Sequence, residues 1–190
     1  MDSHALIKMW RELDVPGGLR AELLDGEIVV QANPGHFHDL PGRTFVRHTP
    51  APFEAWNERG LLVADDYRPR ADAVVIRSAD CPADNEADWP AQIVLAVVET
   101  VSTTRTAIRR DWDEKRERYA QAGIPVYLIV DPNDATWHLL QLDGRHYVET
   151  VKGILRPGDS HAGTDEFHRT DGGLAPVRRY RDYVRVGASP

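Results

Sequence analysis

The sequence predicts an α/β (α+β) fold that opens with a hairpin. Three observations carry this. Ile93-Val94-Leu95-Ala96-Val97-Val98-Glu99 and Val126-Tyr127-Leu128-Ile129-Val130 are nearly all-apolar runs of strand length. The segment between them has helical periodicity and stops at Gly123, with Pro125 beyond. Two further pairs of strand-like segments turn at Asp25-Gly26 and Asp143-Gly144, a dipeptide favoured in type I′ turns. Of the 190 residues 42% are hydrophobic, which supports a buried core and argues against disorder.

The elements follow in order. Leu6, Met9, Trp10 and Leu13 give helical spacing over residues 3–13, and Pro16-Gly17-Gly18 stops that helix. Residues 21–24 and 27–31 form the first hairpin, closed by Asn33-Pro34-Gly35. Prolines at 34, 41, 50 and 52 break any long helix before Phe53, and residues 53–59 read as one or two helical turns. Residues 61–64 are a short strand, 71–76 a β-branched strand and 80–90 a polar loop. The run 93–99 is a central strand covered on both faces. Ser102-Thr103-Thr104 offers N-caps for a helix over about residues 105–122. Strand, helix and strand from 93 to 130 make a βαβ unit, so its two strands should be parallel, with a right-handed crossover. Residues 136–142 and 145–151 form a second hairpin; 153–173 read as a loop. The whole of 1–190 is expected to be a single domain, with a core over about 20–150 and a C-terminal extension over 153–190.

Charge and cysteine usage narrow the function. Lys plus Arg is 23 and Asp plus Glu is 30, a net charge of −7. That argues against a nonspecific basic coat for DNA and against a polybasic membrane anchor. The single cysteine, Cys81, excludes an intramolecular disulfide and fits a reducing compartment. No stretch approaches the roughly 18–20 apolar residues of a membrane span. Residues 1–14 lack the layout of a signal peptide. A soluble cytoplasmic protein without membrane contact is expected.

Two carboxylates sit at strand ends: Asp72 opens one strand and Glu99 closes another. If the strands pair antiparallel, both project from one sheet edge about 5 Å apart. Carboxylates that close repel unless a cation lies between them, and hard oxygen ligands suit Mg²⁺ or Mn²⁺. Taken alone, such a pair is more readily two ordinary strand-end acids in water; the helix that follows changes that. Ile108, Trp112, Tyr119 and Ala122 lie on one helix face, and Lys115 falls within that stripe. A lysine facing the sheet needs an anionic partner, and Glu99 and Asp72 are at hand. The chain has only three lysines against twenty arginines, so a lysine here is a distinct choice. An exposed i,i+4 pair with Asp111 is the competing explanation. Two acids, a lysine and a divalent ion together suit phosphodiester hydrolysis.

A wider pattern runs through the same residues. Glu22-Leu23-Leu24-Asp25-Gly26-Glu27, Ala71-Asp72, Val97-Val98-Glu99-Thr100-Val101-Ser102-Thr103-Thr104, Asp111-x-x-x-Lys115-x-x-x-Tyr119-x-x-x-Gly123-Ile124-Pro125-x-Tyr127 and Val130-Asp131-Pro132 resemble the Uma2 (DUF820) family. That family belongs to the PD-(D/E)XK, or restriction-endonuclease-like, nucleases. The resemblance covers roughly residues 20–150, and 97–132 is its specific part. It implies a restriction-endonuclease-like mixed β-sheet flanked by helices and a Mg²⁺-dependent endonuclease, Mn²⁺ substituting, that acts on DNA. It also allows a homodimer. By position, Asp72 and Glu99 would be metal ligands, with the Thr100 carbonyl as a backbone ligand. Lys115 would be the active-site lysine. Glu22 would match the family's early acid and complete the catalytic set. Substrate contacts are expected from Arg105, Arg109, Asp111 and Tyr119. The superfamily's usual lysine position, two after the acid, is Val101 here, which is consistent with a lysine supplied by the helix, as the resemblance implies.

Three departures stand out. Ala71-Asp72 replaces the usual Pro-Asp, and Ser102-Thr103-Thr104 lacks the usual proline. The family's long helix after the first hairpin falls on His36-Phe37-His38-Asp39-Leu40-Pro41, which is poor helix sequence. That last departure motivates an alternative: a catalytically inactive nuclease fold serving as a nucleic-acid or protein-binding module. A hydrolase of small phosphates is a third reading.

Other candidates weigh less. His36-x-His38-Asp39 could supply metal ligands or an HD-type phosphohydrolase motif, but the further His and Asp such a site needs are not evident, so these read as loop residues, though either histidine would touch the site if it folded toward Glu22. Gly158-Asp159-Ser160-His161-Ala162 nearly matches a nucleophile elbow but lacks the flanking strand and helix. Cys81 has no activating partner in sequence. Arg178, Arg179 and Arg181 with Tyr180 and Tyr183 suit phosphates and bases, or a solvated terminal element equally well.

Overall fold

The computed structural model describes residues 3–33, 35–83 and 88–154. The elbow-like segment at 158–162, the arginines of the tail and most of the C-terminal extension lie outside them. The chain begins with α1 (Ser3–Glu12) and the hairpin β1 (Leu19–Leu24) and β2 (Glu27–Ala32). Asp25 and Gly26 have φ of 50° and 74°, as a type I′ turn requires. Then come α2 (His36–His48), β3 (Phe53–Leu62), β4 (Arg70–Arg77), β5 (Asp88–Pro90) and β6 (Val94–Thr100). A helical stretch follows as α3 (Arg105–Arg109), a π turn (Arg110–Glu114) and α4 (Lys115–Gln121). The strands β7 (Val126–Asp131), β8 (Thr136–Asp143) and β9 (His146–Ile154) complete the order.

Apart from the hairpin, the described strands form one mixed sheet in the order β5-β3-β4-β6-β7-β8-β9. As the βαβ pattern predicts, β6 and β7 are parallel, with Ala96 opposite Val126 and Thr100 opposite Val130. β4 runs antiparallel to β6 on its other side. The central strands are buried on both faces, which is why they read as unbroken apolar runs. Val74, Val97, Tyr119, Tyr127 and Ile129 pack on the face that carries α4. Phe45 of α2 packs with Val75, Val98, Leu128 and Leu139 in a second cluster. Among the described residues, no helix is long and apolar enough to cross a membrane.

Two segments correct the sequence reading. Residues 36–48 are a helix despite Pro41 in its interior. An interior proline costs about 3 kcal/mol. Burial of Phe45, 1% exposed, and Thr44 against the sheet offsets that cost. Residues 53–59 are not helical turns but the first part of ten-residue β3. Phe53 and Ala55 are buried on one side of that strand, and β4 supplies its hydrogen bonds. Gly153, expected in a loop, lies within β9.

Close approach of α2 to β4 depends on Gly42. A Cβ there would lie 3.0 Å from the Asp72 carbonyl oxygen and 3.1 Å from Asn57 Oδ1. Backbone cannot yield cheaply, so Gly42→Ala should push α2 off the sheet. Urea denaturation should show a loss of about 1–3 kcal/mol. An unchanged midpoint would mean that the helix tolerates the methyl.

Candidate active site

The register of β4 and β6 builds the site. Ala73 lies opposite Val98. One step further, Asp72 and Glu99 come together on the face that carries Val74 and Val97, because side chains alternate along a strand. The Thr100 amide donates to Asp72 Oδ2 at 2.7 Å. The helix facing them supplies the cation. Lys115 Nζ is 2.8 Å from Glu99 Oε2 and 3.3 Å from Asp111 Oδ1. Both sequence explanations of Lys115 therefore hold at once, except that the pair with Asp111 is buried. Tyr119 donates its hydroxyl to Glu99 Oε1 at 2.7 Å, and Tyr127 donates to the Asp111 carbonyl at 2.9 Å. Asp111 sits in the π turn, where the Lys115 amide reaches back five residues to the Arg110 carbonyl. Such turns are frequent at functional sites.

Burial sets the electrostatics. Glu99, Lys115, Asp72 and Asp111 are 1%, 3%, 5% and 6% exposed. Three carboxyl groups thus share one ammonium away from water. Burial pushes the Asp72 carboxyl above the usual carboxylate range, although Lys115 and the Thr100 amide pull it back. Burial raises Glu99 likewise, again against Lys115. For Lys115 burial opposes the charge, but Glu99 and Asp111 outweigh it and hold the pKa well above the ordinary value. Asp72 Oδ1 is buried with no hydrogen-bond partner.

These groups line a cavity of about 20 Å³, room for one water or one ion and not for a substrate. A second cavity of about 530 Å³ adjoins it and shares His38, Thr100 and Ser102. Its walls include Leu40, Pro41, Val101, Val130 and Pro132. Among the described residues, no three His, Cys, Asp or Glu side chains already stand in metal-binding geometry.

Other expected residues fall in different places. Both oxygens of Glu22 are occupied: Oε1 accepts the Arg70 amide at 2.6 Å and Oε2 accepts Gln31 Nε2. Glu22 thereby fastens the hairpin to β4 at the cavity's margin. It is the amide of Thr100, not its carbonyl, that is directed at Asp72. Arg105 and Arg109 are exposed, and Arg109 pairs with Glu114 at 2.8 Å. Tyr119 is fully buried behind Glu99, so it supports that acid rather than facing a substrate.

Two site residues escaped the sequence reading. Arg20 shares the Glu22 face of β1 and lines the cavity, with Nε buried and unpartnered. Arg110, on the π turn, lines it too and donates to Gln31 Oε1 at 3.0 Å. His38 is not a loop residue. It stands on α2, one helical turn before Gly42, with Nδ1 3.6 Å from Asp72 Oδ2 and Nε2 3.4 Å from Ser102 Oγ. Burial and Arg20 lower its pKa, which favours the neutral ring. The available signals were the period of two linking Arg20 to Glu22 and the i,i+4 spacing of His38 to Gly42.

A family model described as "Putative restriction endonuclease", Uma2, matches residues 8–171. The chain belongs to the Uma2 family. A crystal structure of a "putative nuclease belonging to DUF820" from Anabaena variabilis has the same fold. Its TM-score is 0.55 at 12% identity, over 78% of this chain and 82% of that one. No curated protein matches the chain. Uma2 membership and the shared fold make this a nuclease-fold protein of a family described as restriction endonucleases.

The raised carboxyls give a pH signature. In the folded protein they keep protons at pH values where the unfolded chain has released them. The stability gained this way is full at acid pH and is lost as pH rises above the ordinary carboxylate range. Thermal unfolding in EDTA should show Tm falling between about pH 5 and pH 8. Asp72→Asn should flatten part of that fall; an identical slope would show that Asp72 titrates normally.

Proposed function

We propose that this Uma2 protein is a metal-dependent endonuclease that hydrolyses phosphodiester bonds of DNA. The observation that carries this is the convergence of Asp72, Glu99 and Lys115 on one buried cavity the size of an ion. The residues fit a divalent cation. Asp72 presents a buried, unpartnered oxygen, and a cation would relieve carboxyl groups that burial alone pushes up. Mg²⁺ binds through one or two carboxylates and keeps several waters, so the bare Asp72 Oδ1, with a second lone pair of a Glu99 oxygen that already meets Lys115 or Tyr119, would hold it, with Mn²⁺ as substitute. When bound, the ion supplies polarisation of the phosphate and a water of lowered pKa.

The chain's own groups do the rest. Lys115, fixed by Glu99 and Asp111, is a donor-only cation beside the reacting position and offsets charge developing there. Tyr119 holds Glu99 in orientation from behind. Arg20 and Arg110 bring guanidinium groups to the cavity, and such forks match phosphate oxygens. The adjoining apolar cavity offers room for the nucleoside next to the phosphate. Under this reading the enzyme works in the cytoplasm, and its net charge of −7 makes DNA binding weak and salt-sensitive. The alternative of an inactive binding module drew on the missing helix at 36–52; α2 removes that motive.

A supercoiled-plasmid nicking assay with Mg²⁺ tests the proposal. Asp72→Asn and Lys115→Ala should each slow nicking by at least about 100-fold. Arg109→Ala should stay within about twofold, because that side chain is exposed and, among the described residues, pairs only with Glu114. Equal rates for the wild type and Asp72→Asn would refute the nuclease reading.

A further inference from the structure

The proposed metal site has a neighbour that family membership does not assign. The ring of His38 is brought to Asp72 by backbone contact. Gly42 lets α2 close on the Asp72 carbonyl, and His38 lies four residues earlier on the same helix face. Ser102 fixes the other side of the ring, 3.4 Å from Nε2. Ser102 is itself held, because Asn133 Nδ2 donates to its carbonyl at 3.1 Å and Asp131 Oδ1 accepts from Asn133 at 2.9 Å. In the tautomer that donates Nε2–H to Ser102, Nδ1 keeps a free lone pair.

Nδ1 is buried and has no hydrogen-bond partner, and neither has Asp72 Oδ1. Nδ1 stands 3.6 Å from Asp72 Oδ2, too long for a hydrogen bond. Both residues line the ion-sized cavity, and each has a buried atom that lacks a hydrogen-bond partner. We infer that His38 is a nitrogen ligand of the same ion as Asp72, and that it makes the site prefer Mn²⁺ to Mg²⁺. Imidazole adds affinity for transition metals and little for Mg²⁺, which selects oxygen. A serine behind the ring is the kind of outer partner that orients a metal-binding histidine. This inference rests on the metal-dependent reading of the site.

Calorimetric titration of the full chain with MnCl₂ and with MgCl₂, free of DNA, tests it. The wild type should bind Mn²⁺ at least about tenfold more tightly than Mg²⁺. His38→Ala should weaken Mn²⁺ by about 10–100-fold while Mg²⁺ changes by less than about threefold. Pulsed EPR of the Mn²⁺-loaded wild type should show nitrogen coupling, absent in His38→Ala and in His38→Gln, with folding of both checked by circular dichroism. Wild-type Mn²⁺ without nitrogen coupling, or an unchanged Mn²⁺/Mg²⁺ ratio in the folded variants, overturns the role of His38. If Asp72→Ala loses Mn²⁺ while His38→Ala keeps it, the metal site stands and His38 is excluded. If Asp72→Ala binds Mn²⁺ undiminished, or the wild type binds neither ion, the metal-dependent reading itself falls.

Discussion

The structure turns on one ammonium group shared by buried carboxyl groups. Lys115 Nζ meets Glu99 at 2.8 Å and Asp111 at 3.3 Å, and Asp72 lies in the same cavity. Removing an ion from water costs several kcal/mol, and a buried pair recovers that only when its geometry is good and its remaining hydrogen bonds are met. Glu99 meets this condition: Lys115 takes one oxygen and Tyr119 the other. Asp72 does not, since one oxygen accepts the Thr100 amide and the other is left bare. A fold optimised for stability alone would have little use for that bare oxygen. Under the proposed function, a cation is the partner that this oxygen lacks.

Much of the surrounding architecture keeps these groups in place. The antiparallel register of β4 and β6 sets the acids side by side, and the parallel β6–β7 pair returns the chain so that the helix covers them. Trp112 ties that helix to the next strand, donating to Asp131 Oδ2 at 2.8 Å. Glu22 anchors the hairpin, so Arg20 and Gln31 close the cavity from above. Lys115 is therefore fixed from the helix side and Asp72 from the sheet side. The larger cavity, lined by Leu40, Pro41 and Pro132, adjoins these groups and has room for a bound molecule.

How much of this was legible depends on the distance over which each signal acts. The strands at 94–100 and 126–131 and the helix between them showed in local periodicity, and their order fixed the parallel pairing. Asp72, Glu99 and Lys115 followed, because strand-end geometry and one helix face determine where they point. Residues 36–59 were misread because their local signals are poor. Pro41 and Gly42 weaken a helix that packing with Phe45 nevertheless holds, and β3 has little alternation in Trp56-Asn57-Glu58-Arg59. Arg20 went unseen and His38 was read as a loop residue for the same reason. Their places depend on a hairpin and a helix docking on the sheet, which no window of sequence contains. The roles of Glu22 and Tyr119 came from pattern, and packing shows them as supports.

Crystals grown with Mn²⁺ and measured at the manganese absorption edge test the central claim most directly. The account predicts an anomalous peak within bonding distance, about 2.1–2.3 Å, of Asp72 Oδ1, in the cavity facing Lys115. A Mn²⁺-saturated crystal with no peak there, and Asp72 Oδ1 instead satisfied by a protein group, would contradict it.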